Sequence, residues 1–396
     1  MKDISVIASA VHESSTLAVD ALAKRLKAEG KPVVSFGTGE PDFDTPDNIK
    51  RAAIKAIEEG KTKYTPAAGL VPLRQAVCDR LLADTGVKYE SSEIVVASGA
   101  KHSIFVALMC LINPGDEVIV PAPYWVTYTE AVAMAGGVPV VVNCEEKSGF
   151  KMTPEQLEAA ITPRTKLLIL NNPSNPTGMF YDEAQLRALA DVCVKHDLYI
   201  ISDEIYCKLL YDNRKFTSLA ALGGDMKERT IIVNGVSKSY AMTGWRIGYT
   251  ASNKRLAKVM ANYLSHSTAA PSTVSQYAAI EALTGDQTSV SVMHDEFEKR
   301  RNYIVERMNR IDGVSCIMPE GAFYVMMNME KLVGRTLGGR LIENGDDFAM
   351  AFLEKENVAV VPCSGFGAPL FVRWTYAASM ESICEGLDRL EKFLKE

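Results

Sequence analysis

The chain has 396 residues, 47% of them hydrophobic, so it can bury a large core and exceeds the size at which a single core usually splits into domains. Its 43 Lys and Arg against 49 Asp and Glu leave a formal net charge of −6, without a basic tail or an acidic run. This balance argues against nucleic acid or an anionic membrane as a partner, and we expect two domains.

The N-terminus and the cysteines indicate the compartment. MKDISVIASAVHESST is a poor signal peptide because Glu13 and a polar run interrupt any apolar stretch, and no later segment approaches the length of a membrane span. The eight cysteines form no C-x-x-C pair and have no histidine pair nearby, which indicates neither a zinc site nor a disulfide framework. We therefore expect a cytoplasmic protein with reduced cysteines and no metal.

From about residue 93 to residue 251, short apolar runs alternate with helical patterns. Each run is consistent with a buried strand, and the runs are EIVVAS, DEVIVP, VPVVV, KLLIL, LYIIS, TIIVNG and IGYTA. Between two of them, Thr153, Pro154 and Gln156 form a capping box that predicts the start of a helix. The alternation predicts an α/β domain with a mainly parallel, mixed sheet flanked by helices.

After about residue 286 the pattern changes to long charged helices around a few strands. The helical segments are HDEFEKRRNYIVERMNRI and MESICEGLDRLEKFLKE, and the strands include GAFYVMMNM and AVVPCSG. This pattern predicts a second, smaller α+β domain. We place the large domain at residues 45–285 and build the small domain from both chain ends, residues 1–44 and 286–396.

Polar or glycine-containing segments follow four of the predicted strands. The segments are GAK after EIVVAS, NNPSNPTG after KLLIL, DEIY from the end of LYIIS, and VSK after TIIVNG. Ligands of an open parallel sheet collect beyond the carboxyl ends of its strands. These four strand ends are therefore expected to meet at one site.

The strongest chemical signal is GVSKSYAMTGWRIG, from Gly235 to Gly248, which sets Lys238 directly after a buried strand and Arg246 eight residues later. Desolvation there lowers the pKa of the ammonium, so that the free amine can form an imine with an aldehyde. A lone lysine would more often be a loop residue on the surface. Here the whole segment matches the pyridoxal-phosphate attachment pattern position by position, and the chain resembles the class I and II aminotransferases.

The resemblance spans nearly the whole chain, and its motifs follow in the family's order. They are GTGEPDFDTP, KYTPAAG, NNPSNPTG, SDEIY and FVRWTYA. The resemblance implies the fold type I aminotransferase architecture and pyridoxal 5′-phosphate held by Lys238 as a Schiff base. It also implies amino acid and 2-oxo acid substrates, and a homodimer with shared active sites.

The resemblance implies roles around the cofactor ring. Asp203 would pair with the pyridine nitrogen, and Tyr206 and Asn175 would donate hydrogen bonds to the phenolic oxygen. Lys238, once released by the substrate amine, would be the general base that moves a proton from Cα. The candidate catalytic residues are thus Lys238, Asp203 and Tyr206, although an aspartate that caps a turn is the common structural alternative for Asp203.

The phosphate of the cofactor needs fixed donors and positive charge. The segment Gly99, Ala100 and Lys101 stands at a predicted helix N-terminus and can present backbone N–H groups to it. Ser237 would add a hydroxyl and Arg246 a bidentate guanidinium.

Further positions of the resemblance concern the ring face, the substrate and the dimer. Trp125 would stack on the pyridine ring, although it could equally be a core residue. Arg373 resembles the arginine that binds the substrate α-carboxylate, and Gly39 would approach that carboxylate with its backbone. Tyr64 resembles the tyrosine that reaches the phosphate across a dimer interface.

Among the family's aspartate-specific members, the chain resembles the prokaryotic subgroup, in which a lysine near the phosphate loop recognises the distal carboxylate. Lys101 stands at that position, and a solvated or phosphate-proximal lysine is the alternative interpretation. Ser14 and Thr16 match polar N-terminal positions that approach the substrate in this subgroup. The resemblance implies ping-pong amino-group transfer between L-aspartate and 2-oxoglutarate.

Other activities remain open at this point. Relatives with the same cofactor residues use aromatic amino acids, alanine or prephenate, and some proteins of this fold eliminate at Cβ. A different class is a regulator that senses pyridoxal phosphate and binds DNA through an N-terminal helix-turn-helix. The family motifs begin by Gly37, which leaves too little chain for such a segment, and the acidic balance argues against DNA.

Overall fold

Helices and strands alternate through most of the chain in the computed structural model, which describes residues 3–9, 11 and 16–395. The helices are α1 Val6–Ser9, α2 Thr16–Ala28, α3 Asp47–Glu58, α4 Val71–Thr85, α5 Ala100–Leu111, α6 Thr127–Met134, α7 Pro154–Ala160, α8 Glu183–Lys195, α9 Met226–Arg229, α10 Lys254–His266, α11 Thr273–Thr284, α12 Thr288–Met308, α13 Gly345–Glu356 and α14 Met380–Leu394. The strands are β1 Val34–Ser35, β2 Ile94–Ala97, β3 Glu117–Ala122, β4 Val138–Asn143, β5 Thr165–Asn171, β6 Tyr199–Asp203, β7 Thr230–Gly235, β8 Gly248–Ala251, β9 Tyr324–Asn328, β10 Thr336–Leu337, β11 Arg340–Leu341, β12 Val358–Ala359, β13 Val361–Pro362 and β14 Phe371–Thr375.

The large sheet has the strand order β2-β8-β7-β6-β5-β3-β4. Strand β8 is antiparallel to both of its neighbours, and every other neighbouring pair in this sheet is parallel. The predicted mainly parallel, mixed sheet is therefore confirmed. Because only β8 is reversed, the carboxyl ends of β2, β5, β6 and β7 lie at the same edge.

Alternate strand residues bury opposite faces of this sheet, as the two-residue repeat of a strand requires. Val95 and Ile231 pack in one hydrophobic cluster with residues of α5 and α10, whereas their neighbours Val96 and Ile232 pack in another with residues of α4 and α11. The helices thus cover both faces, which is why the middle residues of β5, β6 and β7 are apolar.

Strand β4 is an exception to the prediction that every run is a buried strand. It lies at the edge of the sheet, paired with β3, and its Val138 and Val141 are 45% and 41% exposed. The prediction of burial was wrong for VPVVV because an apolar run does not reveal whether a strand has one neighbour or two. The predicted capping box is confirmed, since Thr153 accepts from the backbone of Gln156 and the Gln156 side chain accepts in return.

The second unit is the predicted α+β domain. Its antiparallel sheet has the order β13-β14-β9 and packs against α12 and α13, while α14 packs against these two helices. Strand β1 pairs in parallel with β12, and Phe36 beside β1 shares a hydrophobic cluster with Trp374 and Phe393. Both ends of the chain therefore contribute to this unit, while the boundaries at residues 45 and 285 stay a prediction. Within residues 3–9, 11 and 16–395, no helix combines the length and apolarity needed to cross a membrane.

Candidate active site

A cavity of about 930 Å³ lies at the carboxyl edge of the large sheet. The segments that follow β2, β5, β6 and β7 all contribute to its lining, so the predicted meeting of four strand ends is confirmed. Most of the predicted site residues line this cavity: Gly39, Ala100, Lys101, Trp125, Asn175, Asp203, Tyr206, Ser237, Lys238, Arg246 and Arg373.

Lys238 reaches into the cavity from the turn after β7. Its Nζ donates to the backbone oxygen of Gly39, and burial, followed by the positive charge of Arg373, lowers its pKa to about 8. At pH 7 about a tenth of such lysines carry the free amine, against less than about one in a thousand for an unperturbed lysine. This lysine is therefore suited to act as a nucleophile or a proton acceptor.

Asp203 ends β6 and is almost fully buried. Its Oδ2 accepts from the Tyr128 hydroxyl at 2.7 Å, and its Oδ1 accepts from the Ile205 backbone at 3.2 Å. Burial raises the pKa of Asp203 to about 6, and the hydrogen bond from Tyr128 opposes that rise. The carboxylate can thus stay ionised near neutral pH and hold a positive partner in the cavity.

Tyr128 was missed by the sequence analysis. It lies in α6, three residues after Trp125, and the two rings meet edge to face at 5.5 Å. Trp125 precedes α6, and a buried aromatic residue in a short helix has the pattern of a core residue, so no sequence signal singled out Tyr128.

Arg373, in the middle of β14, is buried and held on two sides. Its Nη1 donates to Asn175 Oδ1 at 2.9 Å, and its Nη2 donates to the Gly37 backbone oxygen at 3.0 Å. Its Nε is buried without a hydrogen-bond partner among residues 3–9, 11 and 16–395. A buried, unsatisfied donor on a fixed guanidinium is suited to bind a carboxylate.

The start of α5 forms a cradle for an anion, because the first backbone N–H groups of a helix have no partner within the helix. Gly99 is its N-cap with φ of 90°, and a Cβ on Gly99 would lie 2.4 Å from Arg246 Nη2. A Cβ on Gly248 would lie 2.3 Å from the Ala100 backbone nitrogen. Both glycines are thus required for the close approach of Arg246 and β8 to this helix end.

The cradle is suited to a phosphate. Ser237 lines the same cavity and adds a hydroxyl, while Arg246 adds a guanidinium whose Nη1 is anchored on the Thr243 backbone oxygen at 2.8 Å. Backbone donors, a hydroxyl and a guanidinium together are the donor set that phosphate groups prefer. The residues present therefore match the phosphate of the predicted cofactor.

Lys101, the second residue of α5, lines the cavity while staying exposed to solvent. Its Nζ lies 4.9 Å from the centroid of the Trp125 ring. Partial burial, followed by the positive charge of Arg246, lowers the pKa of Lys101. It thus supplies positive charge close to the ring that would cover the cofactor.

Three predicted site residues are not among those that line the cavity. Gly99 is the N-cap directly before Ala100 and belongs to the cradle at the start of α5. Tyr64 is fully exposed in the segment between α3 and α4, so its predicted contact with the phosphate requires a second subunit. Thr16 begins α2, but its side chain, like the whole of Ser14, lies outside the described part of the chain.

Known aminotransferases match this chain over nearly its whole length. A family model described as aminotransferase class I and II matches residues 31–390. An aspartate aminotransferase from Geobacillus stearothermophilus is 48% identical over 96% of both chains, and an aspartate/prephenate aminotransferase from Cereibacter sphaeroides is 46% identical over 97% of this chain and 96% of its own. The crystal structure of the aspartate aminotransferase from Rhizobium meliloti superposes with a TM-score of 0.96 at 42% identity, covering 100% of this chain and 99% of that one.

Proposed function

The chain belongs to the class I and II aminotransferases, and from this membership we propose that it transfers the amino group of L-aspartate to 2-oxoglutarate with pyridoxal 5′-phosphate as cofactor. The observation that carries the proposal is the convergence of Lys238, Asp203 and Arg373 on one cavity beside an anion cradle. Relatives named for aspartate support the choice of donor, because they match over nearly their full length.

The residues of the cavity divide between the parts of this cofactor. We assign its phosphate to the start of α5 with Ser237 and Arg246, its pyridine nitrogen to Asp203, and its phenolic oxygen to Tyr206 and Asn175. When bound, the cofactor supplies an aldehyde for the amino group and a ring that withdraws electrons from the substrate Cα.

The protein's own groups bind the substrate and move its proton. Arg373 holds the α-carboxylate, and its contact with Asn175 fixes the plane of the guanidinium. The hold of Arg373 on the α-carboxylate orients the substrate Cα–H toward Lys238. Lys238 takes this proton, because its lowered pKa leaves it a usable base. Trp125 lines the cavity, where it would lie over the ring of the bound cofactor and limit the access of water to the reacting atoms.

Lys101 is our candidate for recognition of the distal carboxylate. Lys101→Ser is expected to lower kcat/KM for aspartate about 10- to 100-fold more than for alanine, because only the dicarboxylate uses that charge. The measurement is steady-state kinetics with both amino donors. Lys147→Ser, which removes an exposed lysine beside Glu145, is the matched control.

Equal losses for aspartate and alanine in Lys101→Ser would contradict this assignment. Lys101 would then be a structural or phosphate contact, and the transaminase assignment would be untouched. Prephenate is the second candidate substrate, because the Cereibacter sphaeroides relative is named for both activities. Prephenate also has two carboxylates, so Lys101 could bind its second carboxylate as well. It is therefore tested as an amino acceptor in the same assay.

We also propose a homodimer as the active unit. Tyr64 is fully exposed in the single chain, which agrees with a role on a partner's phosphate. The cytoplasmic location remains a prediction. A DNA-binding regulator receives no support, because the matched relatives are named as enzymes and cover this chain almost end to end.

A further inference from the structure

Tyr324 is a buried residue of the cavity to which the sequence analysis gave no role. It begins β9 and lies opposite Thr375 of β14. Since Arg373 and Thr375 project from the same face of β14, Tyr324 is a diagonal neighbour of Arg373. The Arg373 guanidinium accordingly lies 4.5 Å from the centroid of the Tyr324 ring.

The hydroxyl of Tyr324 makes a hydrogen bond with the hydroxyl of Tyr206 at 2.9 Å. Each phenol has one proton to donate, so only one of the two can donate in this pair. If Tyr206 donates into the cavity, it must accept from Tyr324. The direction of the bond between the two tyrosines thus decides whether Tyr206 has a proton available for a ligand.

Asn175, like Tyr206, has one hydrogen bond that fixes which of its atoms can donate into the cavity. Its Oδ1 accepts from Arg373, which leaves its amide N–H groups as donors. The groups that would serve the phenolic oxygen, Tyr206 and Asn175, are therefore each oriented by a neighbour from the small antiparallel sheet. Those neighbours are Tyr324 and Arg373, which also contact each other.

We propose that Tyr324 is a positioning residue for the reaction: its hydroxyl donates to Tyr206 and directs the Tyr206 proton toward the phenolic oxygen of the cofactor. The inference rests on the proposed function. Donors to this oxygen favour its ionised form, so the nitrogen that joins Lys238 to the cofactor loses its proton at lower pH. The charged groups that face the two phenols are Arg373 from β14 and Asp203 from β6, with Lys238 close to Asp203.

Burial keeps both phenols neutral, since it raises the pKa of Tyr206 and of Tyr324. The site is also tightly packed, because a Cβ on Gly39 would lie 2.7 Å from the Tyr324 hydroxyl. A hydroxyl confined in this way has few alternative orientations, which favours one lasting direction for the bond.

The test is the pH titration of the visible absorbance of the cofactor-loaded enzyme. Tyr324→Phe keeps the ring under Arg373 and removes only the hydroxyl. Tyr206 then loses the donor that polarises its own O–H, so it donates less strongly to the phenolic oxygen, and the midpoint is expected to rise by about 0.5 to 1 pH unit. KM for aspartate is expected to change less than about threefold, because the ring contact with Arg373 remains. Tyr206→Phe should raise the midpoint further, and the double variant should match Tyr206→Phe alone.

Tyr376→Phe is the matched control. It removes another buried hydroxyl of the same domain, which donates to the backbone oxygens of Gly321 and Ala322, and it should leave the midpoint in place. If Tyr206→Phe raises the midpoint and Tyr324→Phe does not, the role proposed for Tyr324 is overturned, while the proposed function stands. A purified enzyme that binds no pyridoxal 5′-phosphate, and so shows no visible absorbance of the cofactor at any pH, would overturn the proposed function itself.

Discussion

Replacement of Lys238 by alanine is expected to abolish amino transfer, with a loss in kcat on the order of 10⁴-fold or more, because the variant lacks both the nucleophile and the general base. The visible absorbance that depends on the bond between Lys238 and the cofactor should disappear as well. The fold should survive, since Lys238 makes no ion pair with any residue that the structure describes and its hydrogen bond is to the backbone of Gly39. Coupled kinetics, absorbance spectra and thermal unfolding measure the three parts of this prediction.

Two controls separate the chemistry of Lys238 from its charge and from general damage. Lys238→Arg keeps a positive charge but offers no usable amine, so it should be as inactive as the alanine variant. Lys258→Ala removes an exposed lysine on α10 and should behave like the parent enzyme. A Lys238→Ala enzyme that kept the parent's visible spectrum would end the assignment of Lys238 as the attachment site.

Asp203→Asn is expected to lower kcat about 10²- to 10³-fold. Asparagine has nearly the same volume and can still accept from Tyr128, but it carries no charge with which to hold a proton on the pyridine nitrogen. The ring would then withdraw electrons poorly from the substrate Cα. Single-turnover measurements with aspartate detect this loss in the chemical step and separate it from cofactor affinity.

The neighbouring acid supplies a matched control. Glu204 is as buried as Asp203 but accepts from the hydroxyls of Ser202 and Ser218 at 2.9 and 2.6 Å and does not line the cavity. Burial raises its pKa to about 7, so about half of these carboxyls are already neutral at pH 7, and Glu204→Gln keeps the neutral form's shape. We expect near-parent activity from Glu204→Gln. Similar losses in both variants would show that the defect of Asp203→Asn arises from disturbed packing of β6.

The sequence was sufficient to predict the sheet and the position of the cavity. Apolar runs of strand length, each followed by polar residues, predict both the strands and the edge at which they end. Lys238, Asp203 and Asn175 all follow or end such runs, and the structure places them around one cavity. Residues at strand ends were predictable because topology alone brings them together.

Residues inside helices and strands were harder to predict. Tyr128 in α6 and Tyr324 in β9 are buried aromatic residues, and in a sequence they have the same pattern as core residues such as Phe323. Only the folded structure reveals that the Tyr128 hydroxyl meets Asp203 inside the large domain and that the Tyr324 hydroxyl of the small domain meets Tyr206. Tyr64 differs from both, because it is exposed and not buried. Its predicted role needs a second subunit, which the structure of one chain does not show.

The most direct test of the proposed function is a titration of the cofactor-loaded enzyme with L-aspartate alone, followed by the visible absorbance of the cofactor. We expect aspartate to convert the spectrum to that of the aminated cofactor, and 2-oxoglutarate to restore the original spectrum. Together these changes would demonstrate both half-reactions of a ping-pong transfer. A spectrum that does not respond to aspartate but does respond to an aromatic amino acid would contradict the aspartate assignment.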